Sequence, residues 1–260
     1  MELGLSGRRA IVTGGSKGIG FEVAAELARE GVHVAICARN ADEVAAAGEG
    51  LRGYGVTVHA QAVDVTQAEQ VTGFIAEAAA EMGGIDVLVN NAGGAHPGTF
   101  ATLTDEDWQA DLDVKLFSQI RCVRAALPHL RASDAPRIVN INAVYGKYPD
   151  PKFFATTVNR AACLNLSKAL AIELAPDDIL VNSVNIGFVA TPQWENIRNK
   201  RAPELSAADF FQQMASEEVP LQRFGDVTEV SGIVAFLASD RGSYITGASI
   251  DVAGGMGKYI

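Results

Sequence analysis

The chain has 260 residues, 48% of them hydrophobic and 20% charged, a balance that suits one large α/β domain and excludes a disordered chain. A formal net charge of −10 excludes a general binder of nucleic acid or of an anionic membrane, because phosphate surfaces repel it. One phosphorylated cofactor, which needs only local donors, remains compatible with that charge.

Short β-branched runs alternate with long amphipathic stretches. The start, MELGLSGRRAIVTGG, enters a strand without the pattern of a secretory signal, and no apolar run approaches membrane-spanning length. A soluble, cytoplasmic protein is expected. RRAIVTG is the first strand, and GIGFEVAAELAREG a helix closed by Gly31. VHVAICA follows as a strand and Ala41 to Arg52 as a helix. VTVHAQAVDV, IDVLVNNAG, RIVNINAV and ILVNSVNIG continue the strands, with helices from Gln67, Asp105 and Phe154. A helix from about Thr228 to Ala238 precedes the closing strand GASIDVAGG. Strands joined by helix-length crossovers must pair in parallel, with helices on both faces of one sheet. Residues 1–260 therefore read as a single domain. The one composition shift is residues 188–220, a polar insertion carrying Trp194, Phe210, Phe211 and Met214. It follows a strand's C-terminal end, where open α/β sheets bind ligands. A substrate lid is the preferred reading; a surface helical hairpin with its own apolar seam is the alternative. Cys37, Cys122 and Cys163 show neither CxxC nor metal-ligand spacing, so no metal is expected and each reads as a small buried apolar side chain in a reducing compartment.

The segment TGGSKGIG, Thr13 to Gly20, follows the first strand and opens the first helix. Its glycines permit a tight turn and close backbone approach, so a pyrophosphate rests on free N–H groups at the helix's positive end. Where an acidic residue would hold a ribose 2′-hydroxyl, the second strand ends in Ala38 and Arg39. An arginine there accommodates a 2′-phosphate instead, unless Arg39 is a solvated loop charge. With Lys17 as a further cation, the pattern favours NADP(H) over NAD(H). Asp64 is placed to approach the adenine edge.

TGGSKGIG, NNAG at 90–93, ALAIELAPDDILVNSV and DVTEVSGIVAFLASDRGSYITGASIDVAGG together resemble the short-chain dehydrogenase/reductase family, from Leu5 to Gly255. The resemblance implies a Rossmann-type, doubly wound, seven-stranded parallel sheet, a nicotinamide cofactor, and dimers or tetramers packed through the helices from Asp105 and Phe154 and through the C-terminal strand. Residue by residue, it carries over Gly14, Ser16, Gly18, Ile19 and Gly20 as the phosphate loop. Asn91, Ala92 and Gly93 match the segment beside the adenosine ribose, and Val189 and Thr191 the stretch that meets the nicotinamide amide. Ile186 replaces the proline of the family's Pro-Gly pair.

The family's four catalytic positions all depart. Its lysine falls on Arg160, its tyrosine on Thr156, its serine on Ala143 and its asparagine on Lys115. A threonine hydroxyl is a far weaker acid than a phenol and reaches less far, so the tyrosine route is closed. Thr156 and Arg160 lie one helical turn apart, on a face expected to look into the cleft. Arg160 is expected to hold the nicotinamide ribose. Lys115, close to that second cation, has its pKa depressed and becomes a candidate proton donor. Asn142 is a candidate amide donor to the substrate oxygen. Plainer roles stand beside these: a snorkelling helix lysine for Lys115, a strand-end cap for Asn142, and the cleft rim for Tyr145 and Lys147. Phe153, Phe154, Trp194 and the lid aromatics point to an apolar small-molecule substrate. Three functions remain open: an NADP(H)-dependent oxidoreductase with a relocated acid, a non-catalytic nucleotide-binding subunit partnering a related chain, and non-redox lyase or isomerase chemistry in the same pocket.

Overall fold

In the computed structural model, residues 2–257 are described; Met1 and residues 258–260, the ends of the expected 1–260 domain, lie outside the described residues. Seven strands form one sheet: β1 (Arg9–Thr13), β2 (His33–Ala38), β3 (Val58–Ala62), β4 (Val87–Asn90), β5 (Arg137–Ala143), β6 (Leu180–Ile186) and β7 (Ser249–Val252). Their spatial order is β3-β2-β1-β4-β5-β6-β7, and every neighbouring pair is parallel. The chain winds outward through β2 and β3, then crosses back to β4, so the order reverses between β1 and β4. That switch point leaves a crevice at the strands' C-terminal ends.

Period-two alternation sends each strand's side chains to two cores. Ala10, Val12, Val34, Ile36, Val87 and Val89 face α1 (Gly18–Arg29), α2 (Ala41–Arg52) and a C-terminal helix over Val227–Ala238. Ile11, Ala35, Cys37 and Leu88 face α3 (Ala68–Met82) and, farther along, Val123, Ala126 and Leu130. Both faces are buried, as a parallel sheet requires. Gly31 ends α1 at φ 81°, the left-handed conformation that favours glycine.

The helix expected from Asp105 is interrupted. It begins as α4 (Asp105–Leu112) behind a Thr104–Asp107 capping box, widens into a π-helical turn over Asp113–Phe117, and resumes as α5 (Ser118–Arg131). Ser118 N–H reaches back to the Asp113 carbonyl, five residues away. A wider turn of this kind rotates the helix face and often marks a functional site. Here Lys115 sits at its centre. Next comes α6 (Phe154–Glu173), which lies against the turn and against α4.

Residues 188–220 fold as a helical hairpin, α7 (Pro192–Arg201) and α8 (Ala207–Glu218), before α9 (Val227–Ala238). An aromatic seam pins the hairpin. Trp194 packs edge-on against Phe188 and Phe224, at 4.8 and 5.2 Å between ring centroids, and Phe211 stacks on Phe224 at 4.6 Å. Among the described residues, no helix is long and apolar enough to cross a membrane.

Candidate active site

The crevice at the switch point is a cleft of about 950 Å³. It is bounded at one end by the β1–α1 loop and at the other by α4, α6 and α7. This volume lies at the upper end of the range for small-molecule sites.

The loop is shaped by backbone demands that the sequence makes explicit. Gly14 and Gly18 adopt φ of 66° and 57°. A Cβ on Gly20 would overlap the Gly14 carbonyl oxygen and the Asn91 amide. Asn91 locks the loop from the β4 side: its Nδ2 donates to the carbonyls of Thr13 and Gly14, each at 3.0 Å. Thr13 Oγ1 accepts from the backbone N–H groups of Asn91 and Ala92, also at 3.0 Å. Lys17, the N-cap residue of α1, makes no side-chain cap bond, so the first-turn N–H groups are open to an anion. Gly14, Ser16, Lys17, Gly18, Ile19 and Gly20 all line the cleft, with Asn91, Ala92 and Gly93 beside them. Val189 and Thr191 close it from the opposite side, with Thr191 Cγ2 3.4 Å from a Cβ position on Gly18. The close backbone approach and the uncapped helix end fit a dinucleotide.

At the cleft's outer end Arg39 is exposed and, among the described residues, makes no ion pair. It stands beside the N-terminus of α2, where the Asn40 side chain caps Glu43 N–H at 3.0 Å. Lys17 is less free than expected, since its Nζ pairs with Glu43 Oε1 at 2.9 Å. The pair is exposed on both sides, so it holds weakly and leaves Lys17 able to turn toward a phosphate. Asp64 lines the cleft, with Oδ1 accepting from Thr66 N and Oγ1 at 2.9 and 2.8 Å.

The inner end contains a buried charge cluster whose hub, Asp111, the sequence reading missed. Asp111 Oδ1 accepts from the Lys115 ammonium and, at 3.2 Å, from Thr156 Oγ1; Oδ2 accepts from Asn159 Nδ2 at 2.8 Å. Asp111 and Lys115 are both 1% exposed, yet both border the cleft. Asp111 is the one hydrogen-bond acceptor of Lys115 Nζ among the described residues, so two of the three ammonium donors are unspent. Burial, then the positive charge of Arg160, holds the Lys115 ammonium down at about 8 against the opposing pull of Asp111. Asp111 was legible only as an i,i+4 partner of Lys115, and nothing in the sequence marks that pair as inward-facing.

Arg160 also borders the cleft. Its Nη1 donates to the Ile141 carbonyl at 2.9 Å, and its Nη2 lies 3.2 Å from a Cβ position on Gly93. Its buried Nε has no protein partner. Thr156 is 5% exposed and bound on two sides, accepting from His96 N–H at 3.3 Å while donating to Asp111. His96, also unanticipated, lines the cleft with its Nε2 3.2 Å from Asp107.

Asn142 must be corrected. It is fully buried and does not line the cleft: its Nδ2 donates to the Arg160 carbonyl at 3.1 Å and its Oδ1 accepts from Ala143 N–H. Strand alternation turns it beneath α6, and Ala143 is the neighbour that faces the cleft. Lys147 likewise ties β7, reaching Asp251 at 2.8 Å. Tyr145 borders the cleft, stacked on Phe153 at 5.7 Å, and burial pushes its phenol up, away from an acid's range. The substrate side is lined by Val144, Phe153, Phe188, Trp194, Ile197 and Met256. Phe154 instead packs on Phe100 and Trp108, and Phe210, Phe211 and Met214 do not line the cleft: Phe210 packs on Phe211, Phe211 on Phe224, and Met214 against the cluster that holds Val144, Phe188 and Met256.

A family model described as enoyl-(acyl carrier protein) reductase matches residues 14–257. The 3-oxoacyl-(acyl-carrier-protein) reductase of Staphylococcus aureus is 33% identical over 250 residues, covering 96% of this chain and 98% of its own. The L-sorbose reductase of Gluconobacter frateurii, solved with NADPH and L-sorbose, is 33% identical, with a TM-score of 0.97 and all of both chains covered. A short-chain oxidoreductase of Pseudomonas aeruginosa PAO1 containing an atypical catalytic center is 38% identical, with a TM-score of 0.93 over 99% of this chain and 100% of that one. With its switch-point cleft, its glycine loop and these matches along nearly its whole length, the chain belongs to the short-chain dehydrogenase/reductase family, as a single-domain oxidoreductase whose catalytic positions are atypical.

Proposed function

We propose that this protein is an NADP(H)-dependent oxidoreductase that interconverts a carbonyl and an alcohol on an apolar small molecule, with Lys115 as the proton donor in place of a phenol. The observation that carries the reading is Lys115, buried at the border of the cleft, with Asp111 as the one acceptor of its ammonium among the described residues and a pKa drawn down to about 8. A general acid works best when its pKa lies near the working pH.

Gly14 to Gly20 and the α1 N-terminus would hold the pyrophosphate, Asn91 to Gly93 the adenosine ribose, Asp64 the adenine edge, and Val189 and Thr191 the carboxamide. Arg160 Nε and Nη2 would hold the nicotinamide ribose, and Arg39 with Lys17 the 2′-phosphate. When bound, the cofactor supplies the hydride to the carbonyl carbon or accepts it from the alcohol. Lys115 Nζ gives a proton to the carbonyl oxygen as the C–H bond forms, becomes a neutral amine, and regains a proton from solvent. Asp111, Lys115 and Arg160 together carry one net positive charge, which favours the negative charge developing on that oxygen. Thr156 positions; it is not the acid. NADPH-bound structures of the sorbose reductase and of the Pseudomonas oxidoreductase support the cofactor assignment.

The hairpin over 188–220 acts as the lid, with Trp194 and Ile197 on its cleft side. The three buried free thiols suit a cytoplasmic setting. The exposed apolar side chains of Phe117 on the π turn and of Val158 and Ile172 on α6 support a homodimer or homotetramer built on these helices. A monomer in sedimentation at micromolar concentration would contradict that assembly.

Calorimetric titration followed by a carbonyl panel tests the function. NADPH is expected to bind at least several-fold more tightly than NADH, a preference that Arg39→Ala removes, because an arginine pairs with a 2′-phosphate and Ala38 accepts nothing from a 2′-hydroxyl. Apolar ketones or aldehydes are expected to drive loss of nicotinamide absorbance. Tight NADPH binding with no turnover on any carbonyl would instead leave a non-catalytic subunit.

A further inference from the structure

We propose that Asp111 is the positioning residue of this site: its carboxylate gathers the Lys115 ammonium and the Thr156 hydroxyl into one hydrogen-bonded unit standing where the family's phenol would act. The inference rests on Lys115 being the proton donor, and it goes further by naming the group through which that donor is aimed and kept charged.

Three donors from two helices converge on the Asp111 carboxylate. Lys115 arrives from the π turn on the same helix; Thr156 and Asn159, three residues apart, arrive from α6. Asp111, Lys115, Thr156 and Asn159 are all buried, which limits competition from water for these bonds. A carboxylate has the lone pairs to accept all three, which an amide or hydroxyl lacks. The π turn places Lys115 one turn from Asp111, and both residues border the cleft. A purely structural staple between α4 and α6 would need only Asn159, at 2.8 Å on Oδ2. Asp111 instead turns Oδ1 toward the two side chains that border the reaction space, Lys115 and Thr156.

The charged and titratable groups facing Lys115 are few. Asp111 comes from α4; Arg160 and the Cys163 thiol come from α6. Thr156 and Asn159 are neutral. Burial and Arg160 drive the proton off Lys115, and Asp111 opposes both. With Asp111 neutralised, burial and Arg160 would act against a weaker counterforce. The amine would then be neutral over much of the range in which reduction needs it protonated.

The test is the pH dependence of kcat/KM for NADPH-driven carbonyl reduction in Asp111→Asn and Asp111→Glu. Loss of an opposite charge at this range moves a pKa by about one to three units. In Asp111→Asn the alkaline limb is therefore expected to move down from about 8 by that much, with NADPH affinity little changed. Asp111→Glu, which keeps the carboxylate, is expected to keep the limb near its original place. A staple role would lower thermal stability and leave the limb unmoved, and that result overturns the proposal.

Should Asp111→Asn fail to fold, the Lys115→Met background still decides. Lys115→Met/Asp111→Asn removes both buried charges, and its residual turnover is expected to match that of Lys115→Met alone, since Asp111 acts through Lys115. A further loss in the double variant would show that Asp111 acts elsewhere and would overturn the proposal. Full turnover in Lys115→Met would remove the proton-donor reading and this inference together, whereas an unmoved limb with an inactive Lys115→Met removes this inference alone.

Discussion

Lys115→Met is expected to lower kcat for carbonyl reduction by about 10²- to 10⁴-fold, the usual worth of a positioned general acid, while changing NADPH affinity far less. The split follows from where Lys115 lies: it borders the inner end of the cleft with Asp111, Thr156 and Arg160, whereas the β1–α1 loop proposed to hold the pyrophosphate bounds the other end. An interaction made chiefly in the transition state appears in kcat rather than in ground-state binding. The substitution also strands Asp111 as a buried carboxylate, with only Thr156 and Asn159 still donating to it. Breaking a buried pair from one side costs about 3–5 kcal/mol of stability, so a lower melting temperature is expected as well. Comparison with Lys115→Met/Asp111→Asn separates the two effects, because the double variant should regain stability without regaining rate. Arg160→Met should show the opposite split, with NADPH affinity falling first.

The second large effect is expected at Gly20→Ala. A methyl group there would overlap the Gly14 carbonyl oxygen and the Asn91 amide, both already committed to holding the loop. Backbone cannot yield as a flexible side-chain end would, so the loop must shift. Overpacking of this kind costs about 1–3 kcal/mol, and if that strain appears in the bound state it weakens NADPH by about 10- to 100-fold. Calorimetry reads the affinity directly. Undiminished binding would show that the β1–α1 loop does not hold the pyrophosphate.

Much of the fold follows from local patterning alone. Seven β-branched runs separated by helix-length segments require a parallel sheet, and that sheet is present with its order reversed between β1 and β4. The glycine loop was legible because a turn at positive φ and an overlap at Gly20 are demands that only glycine meets. The inner site was less so. The helix from Asp105 reads without a break, since a π turn carries no propensity signal of its own, and the turn is what sets the direction of Lys115. Asp111 was not legible as a site residue because an aspartate four residues before a lysine reads as an ordinary solvated helix pair. Its inward direction depends on α6 lying across α4, a tertiary fact. Asn142 was misassigned for the converse reason: one position along a strand reverses the face, and the register that buried it was not fixed by the sequence. The hairpin's aromatics read as substrate contacts, yet of Trp194, Phe210 and Phe211 only Trp194 borders the cleft; Phe211 stacks on Phe224 and Phe210 packs on Phe211.

The pH dependence of kcat/KM, measured in both directions on the unaltered protein, tests the relocated acid most directly. Lys115 is held at about 8, below the ordinary lysine value of 10.5. Reduction needs the ammonium, so its rate is expected to be full below about 8 and to fall as pH rises through that value. Oxidation of the alcohol needs the neutral amine as base, so its rate is expected to rise through the same value. Mirrored limbs that meet near 8 and vanish in Lys115→Met are the expected result. A reduction rate that stays level to about 10, the ordinary range of a phenol, would contradict the assignment of Lys115 as the acid.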